Sequence, residues 1–376
     1  MKFNVSSKRL YSYASAVSKV INAKNAVTIL NSFLLRLDGD QLTLMASDME
    51  NSLEARLTVS EPEGGGSYCI DARRLVDLLK EMPEQGITVE IHEDTLSVDI
   101  TYPNGNYNLV AVGGSEYPMP KRFEQEEEGM LKFDIPAENI IRGIDNTFFA
   151  VSGDTLRPMM TGILCDIKDN GLIFVATDTR KLVRFIDRNV HPEQTGSFIL
   201  PSKSAQVFKT AFAKEGDVNV TATSKGVVFE SESYTFNSVL IKGNFPPYDR
   251  VIPTNHPYSL TIDRQLLLNA VRRVGGFVSA NHGLIKMSIS TEMLTLRAID
   301  NNFCLSAREA IPCSFSGSDM TIGFSAPYLL EILNIISTPE VVIQLSDPSR
   351  PGVFTPTEDK ENTELLMLLM PMTVTD

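Results

Sequence analysis

The sequence predicts an α+β chain made of three copies of one domain-sized module, each with two helices and about eight short strands. Three recurring markers predict it: a strand that ends in Asp, a strand that runs into a helix, and a strand-helix pair that opens each module. Each appears three times and in the same order. The period is too long for a solenoid of 20 to 45-residue repeats and matches the size of a domain.

The first marker reads Leu-Thr-Leu-Met-Ala-Ser-Asp at 42–48, Leu-Ile-Phe-Val-Ala-Thr-Asp at 172–178 and Leu-Thr-Leu-Arg-Ala-Ile-Asp at 294–300. Asp48 and Asp178 lie 130 residues apart, Asp178 and Asp300 122. The second marker covers 68–79, 198–208 and 322–333. In each copy an alternating strand meets a short polar or Pro step, and apolar residues then recur at three- and four-residue spacing, as a helix requires. The third marker is Lys2–Val5 leading into Ser7 to Ile21, Lys132–Ile135 into 136–150, and Ser259–Ile262 into 263–278. Between modules the chain turns Pro-rich: Gly113 to Pro120 followed by the acidic run Glu124 to Glu128, and Asn244 to Pro253. The expected domains are therefore 1–122, 129–250 and 251–376. Period-two segments such as Thr88–His92 and Thr95–Ile100 read as strands.

Composition excludes several classes. With 43% apolar and 22% charged residues, the chain resembles ordinary globular proteins. No apolar run approaches the roughly 18 to 20 residues of a membrane span, and the N-terminus lacks the apolar core of a signal peptide. The four cysteines (Cys69, Cys165, Cys304, Cys313) and four histidines (His92, His191, His256, His282) show no metal-ligand spacing. Reduced core cysteines in a cytoplasmic protein are expected, with no cofactor and no metal.

The net charge of -13 argues against a nucleic-acid partner only if the charge is spread evenly. It is not. The six predicted helices, 7–24, 72–82, 136–150, 201–214, 263–278 and 325–336, carry about fourteen basic residues: Lys8, Arg9, Lys19, Lys24, Arg73, Arg74, Lys80, Arg142, Lys203, Lys209, Lys214, Arg264, Arg272 and Arg273. Against them stand about six acidic ones, which leaves roughly +8 on helices and roughly -21 elsewhere. Helices sharing one surface would make it positive inside an acidic body, attracting phosphates to one face alone. The same Lys and Arg are also what a solvated helix face with good propensity contains. The sequence has no Trp and no helix-turn-helix, zinc-finger or RNA-recognition signature. Such basics suit contacts to phosphate that ignore base sequence.

Catalytic motifs are missing. Gly64-Gly65-Gly66 has no following Lys-Ser/Thr and reads as a hairpin turn, and no GxGxxG, GxSxG or HExxH occurs. The repeated Asp48, Asp178 and Asp300 suit structural turns, one per module. An enzyme using them is a distant third reading, and a repeat scaffold binding acidic or protein partners through its helices is the second.

The threefold repeat, the opening Met-Lys-Phe, Ala-Thr-Asp-Thr-Arg-Lys-Leu at 176–182, Asn-Phe-Pro-Pro-Tyr-Asp-Arg-Val-Ile-Pro at 244–253 and Leu-Met-Pro-Met at 369–372 resemble the bacterial DNA polymerase III beta subunit family, the sliding clamps. The likeness runs from residue 1 to about 372. It implies the DNA clamp fold: a head-to-tail homodimer forming a six-domain ring, with twelve helices lining the hole and sheet outside. The ring would encircle duplex DNA without reading its sequence and give the replicative polymerase processivity, without catalysis.

The resemblance also implies a peptide groove for polymerase, clamp loader and repair proteins. It would comprise Met160, Thr177, Thr179, Arg180, Lys181, Leu182, Pro246, Arg250, Val251, Leu368, Met370, Pro371 and Met372. Leu, Val, Met and Pro make an adaptable apolar pocket for the anchors of an extended peptide. Where the family usually has Gly-His-Arg this chain has Thr179-Arg180-Lys181, and Thr373 replaces an Arg after the last Met-Pro-Met. The dimer contact would join Tyr107 and Leu109 of one subunit to the region of Phe277 in another, where Gly275 and Gly276 replace bulkier residues.

Overall fold

The computed structural model describes residues 1–22, 25–121, 123, 129–278, 283–300 and 303–374. Lys24, Glu124 to Glu128 and His282 lie outside the described residues. The six expected helices form as α1 (Ser7–Val17), α2 (Ala72–Glu81), α3 (Ala137–Thr147), α4 (Ser202–Ala211), α5 (Arg264–Gly275) and α6 (Ala326–Ile335). Each starts where its strand ends because a polar or proline residue turns the chain there. Ser6 accepts from Arg9 N (3.2 Å), Asp71 from Arg74 N (2.8 Å) and Asp263 from Leu266 N (2.7 Å), which satisfies amides that a helix start leaves open. Pro327 occupies the first turn of α6, where no amide is needed.

Several helices stop sooner than the periodicity predicts. After α1 the chain tightens into a 3₁₀ turn over Ser18–Val20, and after α3 into another over Phe148–Ala150. Thr147 Oγ1 donates to Gly143 O at 2.7 Å, a back-bond that competes with continuing the α-helix.

The chain packs as two compact units, one of Met1–Ile141 with Leu200–Leu240, the other of Arg142–Ile199 with Ile241–Asp376. The middle repeat therefore contributes to both. In the first unit thirteen strands form one sheet, in the order Leu131–Pro136, Asp217–Ala222, Gly226–Glu230, Tyr234–Val239, Asn51–Thr58, Gln41–Ser47, Ser32–Asp38, Gly66–Asp71, Gly105–Gly113, Ser97–Tyr102, Gly86–Ile91, Lys2–Ser6, Ser60–Glu63. The second unit holds a nine-stranded sheet, Gly196–Pro201, Gly162–Lys168, Gly171–Thr177, Lys181–Asp187, Thr363–Leu369, Gly352–Pro356, Glu340–Leu345, Tyr258–Asp263, Ser314–Ser316. A four-stranded sheet joins it: Leu305–Pro312, Met293–Asp300, Leu284–Ile289, Met320–Ser325.

The cores follow from period-two burial. In the first unit Phe208 stacks on Phe212 (4.5 Å between centroids) and tilts against Phe229 (4.7 Å). In the second, Phe324 meets Phe354 edge-on at 5.9 Å, and Phe174 fills the space left by Gly143, whose added Cβ would lie 2.3 Å from its ring. Cys69 and Cys165 are buried as expected, and burial pushes the Cys69 thiol up to about 11. Cys304 is exposed, against the expectation of core cysteines, because it sits in the turn after the strand Met293–Asp300.

Glu364 ties two strands of the second unit together by accepting from Arg184 and from Arg188 (2.6 Å). Burial pushes its carboxyl up, but the Arg188 hydrogen bond and the Arg184 charge more than offset this, so its pKa lies below the usual 4.5. A depressed carboxyl stabilises the fold above its unfolded pKa and loses that contribution as pH falls through the folded value. Unfolding measured between pH 6 and pH 3 is thus expected to show stability falling below about pH 4.5. Glu364→Gln flattens that dependence, and an identical slope in the variant rejects the assignment.

Candidate functional site

The second unit builds a groove from one hairpin, one strand and one linker. The hairpin turn between Gly171–Thr177 and Lys181–Asp187 is set by Asp178, whose Oδ1 accepts from Arg180 N and Lys181 N, both at 2.9 Å. Thr177 Oγ1 donates to Lys181 O (2.8 Å) and accepts from Thr179 N (3.1 Å). Thr179 takes φ +76°, a left-handed conformation that glycine adopts at lower cost. The strand Thr363–Leu369 pairs with this hairpin, setting Leu182 opposite Leu368.

A cavity of about 200 Å³ opens over that pair, lined by Met160, Thr177, Thr179, Lys181, Leu182, Phe245, Pro246, Tyr248, Val251, Leu368 and Met370. Leu182 and Leu368 are buried and belong to a cluster with Val175, Ile199 and Tyr248, so the floor is continuous with the core. Val251 and Met370 are exposed at 47% and 38%, leaving an apolar rim open to solvent. Tyr248 is held from behind. Its hydroxyl donates to Asp166 Oδ2 at 2.7 Å and meets Lys168 Nζ at 3.1 Å, while burial pushes its pKa up to about 12, so it stays protonated.

Lys181 is only 5% exposed. Its ammonium pairs with Glu331 and with Asp178 (3.5 Å), and lies 4.3 Å from the Tyr328 ring centroid and 5.7 Å from that of Phe149. Ion pairs and ring faces together make this buried charge tolerable. It forms a fixed wall of the groove.

Of the thirteen residues that the resemblance implied, nine line this cavity, and Arg180, Arg250, Pro371 and Met372 do not. Arg180 and Arg250 face solvent at the rim. Met372 is drawn away because its amide donates to Gly323 O (2.8 Å) in a bridge to the strand Met320–Ser325. Phe245 and Tyr248 were missed. The Asn-Phe-Pro-Pro-Tyr linker carries both, and its aromatics flanking two prolines were the available signal.

The basic residues divide into two kinds. In the first unit α1 packs against α2 and α4, and Lys8, Arg9, Lys19, Arg73, Arg74, Lys80, Lys209 and Lys214 all reach solvent. Lys203 instead donates to Val20 O (2.6 Å) and Asp48 Oδ2 (2.5 Å), fastening α4 to the first turn. In the second unit Arg142 lies 3.7 Å from the fully buried Asp187, and Arg264 donates to Thr338 O and Leu333 O (both 3.1 Å). Arg273 is forked onto Glu309, and Arg272 reaches Asn334. Helix charge counted from sequence therefore overstates the charge available to a ligand.

Two of the open strand edges bear on the expected dimer contact. Gly105–Gly113 pairs with Ser97–Tyr102 along 105–110 but with Gly66–Asp71 only through 111–113, so beside Tyr107 and Leu109 one side has no strand neighbour among the described residues. Leu305–Pro312 is an edge strand. Phe277 follows the end of α5 and is 41% exposed, and the strands on which α5 packs expose Ile299 (63%) and Leu305 (42%). Two of the repeated acids are turn residues: Asp48 Oδ1 accepts from Glu50 N (3.1 Å) and Asn51 N (2.6 Å), as Asp178 does in its own turn, while Asp300 ends the strand Met293–Asp300. Among the described residues no three His, Cys, Asp or Glu side chains could hold a metal ion, and no helix is long and apolar enough to cross a membrane.

The sequence matches the DNA polymerase III beta subunit in three consecutive pieces: its N-terminal domain over 1–120, its central domain over 134–247 and its C-terminal domain over 249–372. The beta sliding clamp of Treponema pallidum is 29% identical over 365 residues, covering 95% of each chain. That of Pseudomonas aeruginosa is 25% identical over 374 residues, covering 99% of this chain and 100% of that one. The crystal structure of the P. aeruginosa clamp bound to griselimycin superposes with a TM-score of 0.91 over the whole of both chains. With three domain matches in order and full-length likeness in both sequence and fold, the chain belongs to the DNA polymerase III beta subunit family, the beta sliding clamps.

Proposed function

We infer that this chain is a DNA sliding clamp, a non-catalytic processivity factor that encircles duplex DNA for the replicative polymerase. The observation that carries the reading is the full-length superposition on the P. aeruginosa clamp, at 25% identity. In this reading the three modules span 1–122, 129–250 and 251–376, and two chains close head-to-tail into a ring in the cytoplasm. The unpaired edge beside Tyr107 and Leu109 of one subunit adds to the edge strand Leu305–Pro312 of the other, with Phe277 packed alongside, which is how exposed strand edges are satisfied. The solvent-reaching lysines and arginines of the helices face DNA and contact phosphates, giving a grip that ignores base sequence and weakens with salt.

The apolar cavity over Leu182 and Leu368 is the docking site for short partner peptides. Its floor is preformed by the core and its rim is open, so a partner's hydrophobic anchors find a pocket at little ordering cost.

Topology provides the test. Loaded onto nicked circular duplex, the clamp is expected to stay bound through a high-salt wash, and cutting the circle releases it. Equal retention on circle and linear DNA rejects encirclement.

A further inference from the structure

The repeat that makes the groove makes a second cleft, in the first unit, with a different lining. The turn acid Asp48 stands where Asp178 does, and Ser52 follows it at the spacing of Leu182. Ser52 faces Asn237 across the paired strands Asn51–Thr58 and Tyr234–Val239, as Leu182 faces Leu368. Two residues on, Glu54 faces Thr235. Tyr117 of the first linker packs beside Met45, as Tyr248 of the second packs beside Val175. Over these strands lies a cavity of about 290 Å³, whose lining includes Met119 and Pro120 of the linker.

The floor of this cleft is polar and unsatisfied. Among the described residues, the side chains of Ser52, Glu54, Thr235 and Asn237 make no hydrogen bond, and Asn237 Oδ1 and Thr235 Oγ1 are buried without a partner. Asn237 is only 9% exposed. Buried polar groups of a sheet are ordinarily paired, so two bare acceptors, Asn237 Oδ1 and Thr235 Oγ1, on adjacent cross-strand pairs point to something that donates to them. Charge says what. Arg56 pairs with Glu230 (3.5 Å) and donates to Ser231 O (3.0 Å), so both are engaged, whereas Glu54 has no counter-ion among the described residues. A cationic donor fits, and a guanidinium, with five N–H groups and no acceptor, suits a carboxylate flanked by hydroxyls and an amide.

We propose that this cleft is a second docking site on each subunit, one that accepts an arginine side chain on an extended segment of a partner protein. The protein source follows from position. The cleft occupies, in the first unit, the place that the peptide groove occupies in the second, and in that respect the proposal rests on the peptide-docking reading. Leucines at the floor select apolar anchors, and Ser52 with Asn237 selects a polar one. A partner carrying both kinds of anchor engages the subunit at two points, which raises its avidity without a new apolar surface.

Methionine methyl groups report on both sites: Met45 and Met119 line the cleft, Met160 and Met370 the groove. The probe is acetyl-Gly-Arg-Gly-amide, titrated into the full chain carrying [methyl-13C]methionine. Saturable shifts of Met45 and Met119 are expected, with Met160 and Met370 still. Citrulline in place of arginine, or Glu54→Gln in the protein, weakens the midpoint at least fivefold, and Asn237→Leu does the same. Met370→Ala changes nothing at the cleft. Shifts that never saturate, an unchanged midpoint in both cleft variants, or equal binding of spermidine each overturn the proposal. A peptide with apolar anchors that fails to move Met160 and Met370 counts against the groove and leaves the cleft standing.

Discussion

Met370→Ala is expected to lower the affinity of the full-length protein for an apolar-anchored partner peptide by about 30-fold, with the fold and the dimer unchanged. Met370 lies at the mouth of the cavity over Leu182 and Leu368, and 38% of it is exposed before any ligand arrives. Truncating a central apolar contact at an interface typically costs about 2 kcal/mol or more, and each 1.4 kcal/mol is a tenfold change in Kd. Because the amide of Met370 donates to Arg180 O (2.8 Å), backbone and not side chain positions this residue, so alanine keeps the strand in place. Met372→Ala supplies the contrast. Its amide is bound to Gly323 O (2.8 Å) and its side chain is no part of the cavity, so peptide affinity should stay within about threefold of the parent. Fluorescence anisotropy with a labelled peptide decides. Equal losses in the two variants put the groove elsewhere along the C-terminal strand.

The contrast between those methionines also marks how far the sequence could be read. Repeats, helices and turn acids were legible because each is a local pattern: an alternation, an N-cap, an Asp two or three residues before the amides it accepts. The groove floor was legible through family resemblance, since Leu182 and Leu368 are 186 positions apart and only strand pairing sets them face to face. That Met372 does not line this cavity is hidden for the same reason. Nothing local says that the chain leaves the groove after Met370 and bridges to Gly323. Helix charge was read correctly in sign and too generously in amount. Arg142, Lys203, Arg264 and Arg273 look like Lys19 or Lys80 in sequence, yet they bind Asp187, Asp48, main-chain carbonyls and Glu309. The polar cleft over Ser52 and Asn237 was invisible, because an unpartnered side chain is a property of space.

Phe277→Asp is expected to turn the dimer into a monomer at micromolar concentration, weakening association at least 100-fold, and to abolish retention on circular DNA. Phe277 follows two glycines at the end of α5, where Gly276 N and Phe277 N close the last turn onto Arg273 O (3.3 Å) and Val274 O (3.0 Å). Its side chain is 41% exposed, so in an isolated subunit it holds little of the core together. An exposed substitution of this kind shifts subunit stability by only about 0.5 kcal/mol. In a closed interface the same position is desolvated, and an unpaired carboxylate there costs several kcal/mol in addition to the lost apolar contact. A carboxylate also sits poorly at a helix C-terminus, which Phe277→Lys controls for, because a cation is favoured there. Both variants should sediment as monomers with the melting temperature of the isolated subunit preserved and with peptide binding at Met370 intact. Should either remain dimeric with unchanged affinity, the interface does not run through the end of α5, and the open edge beside Tyr107 must close against another surface.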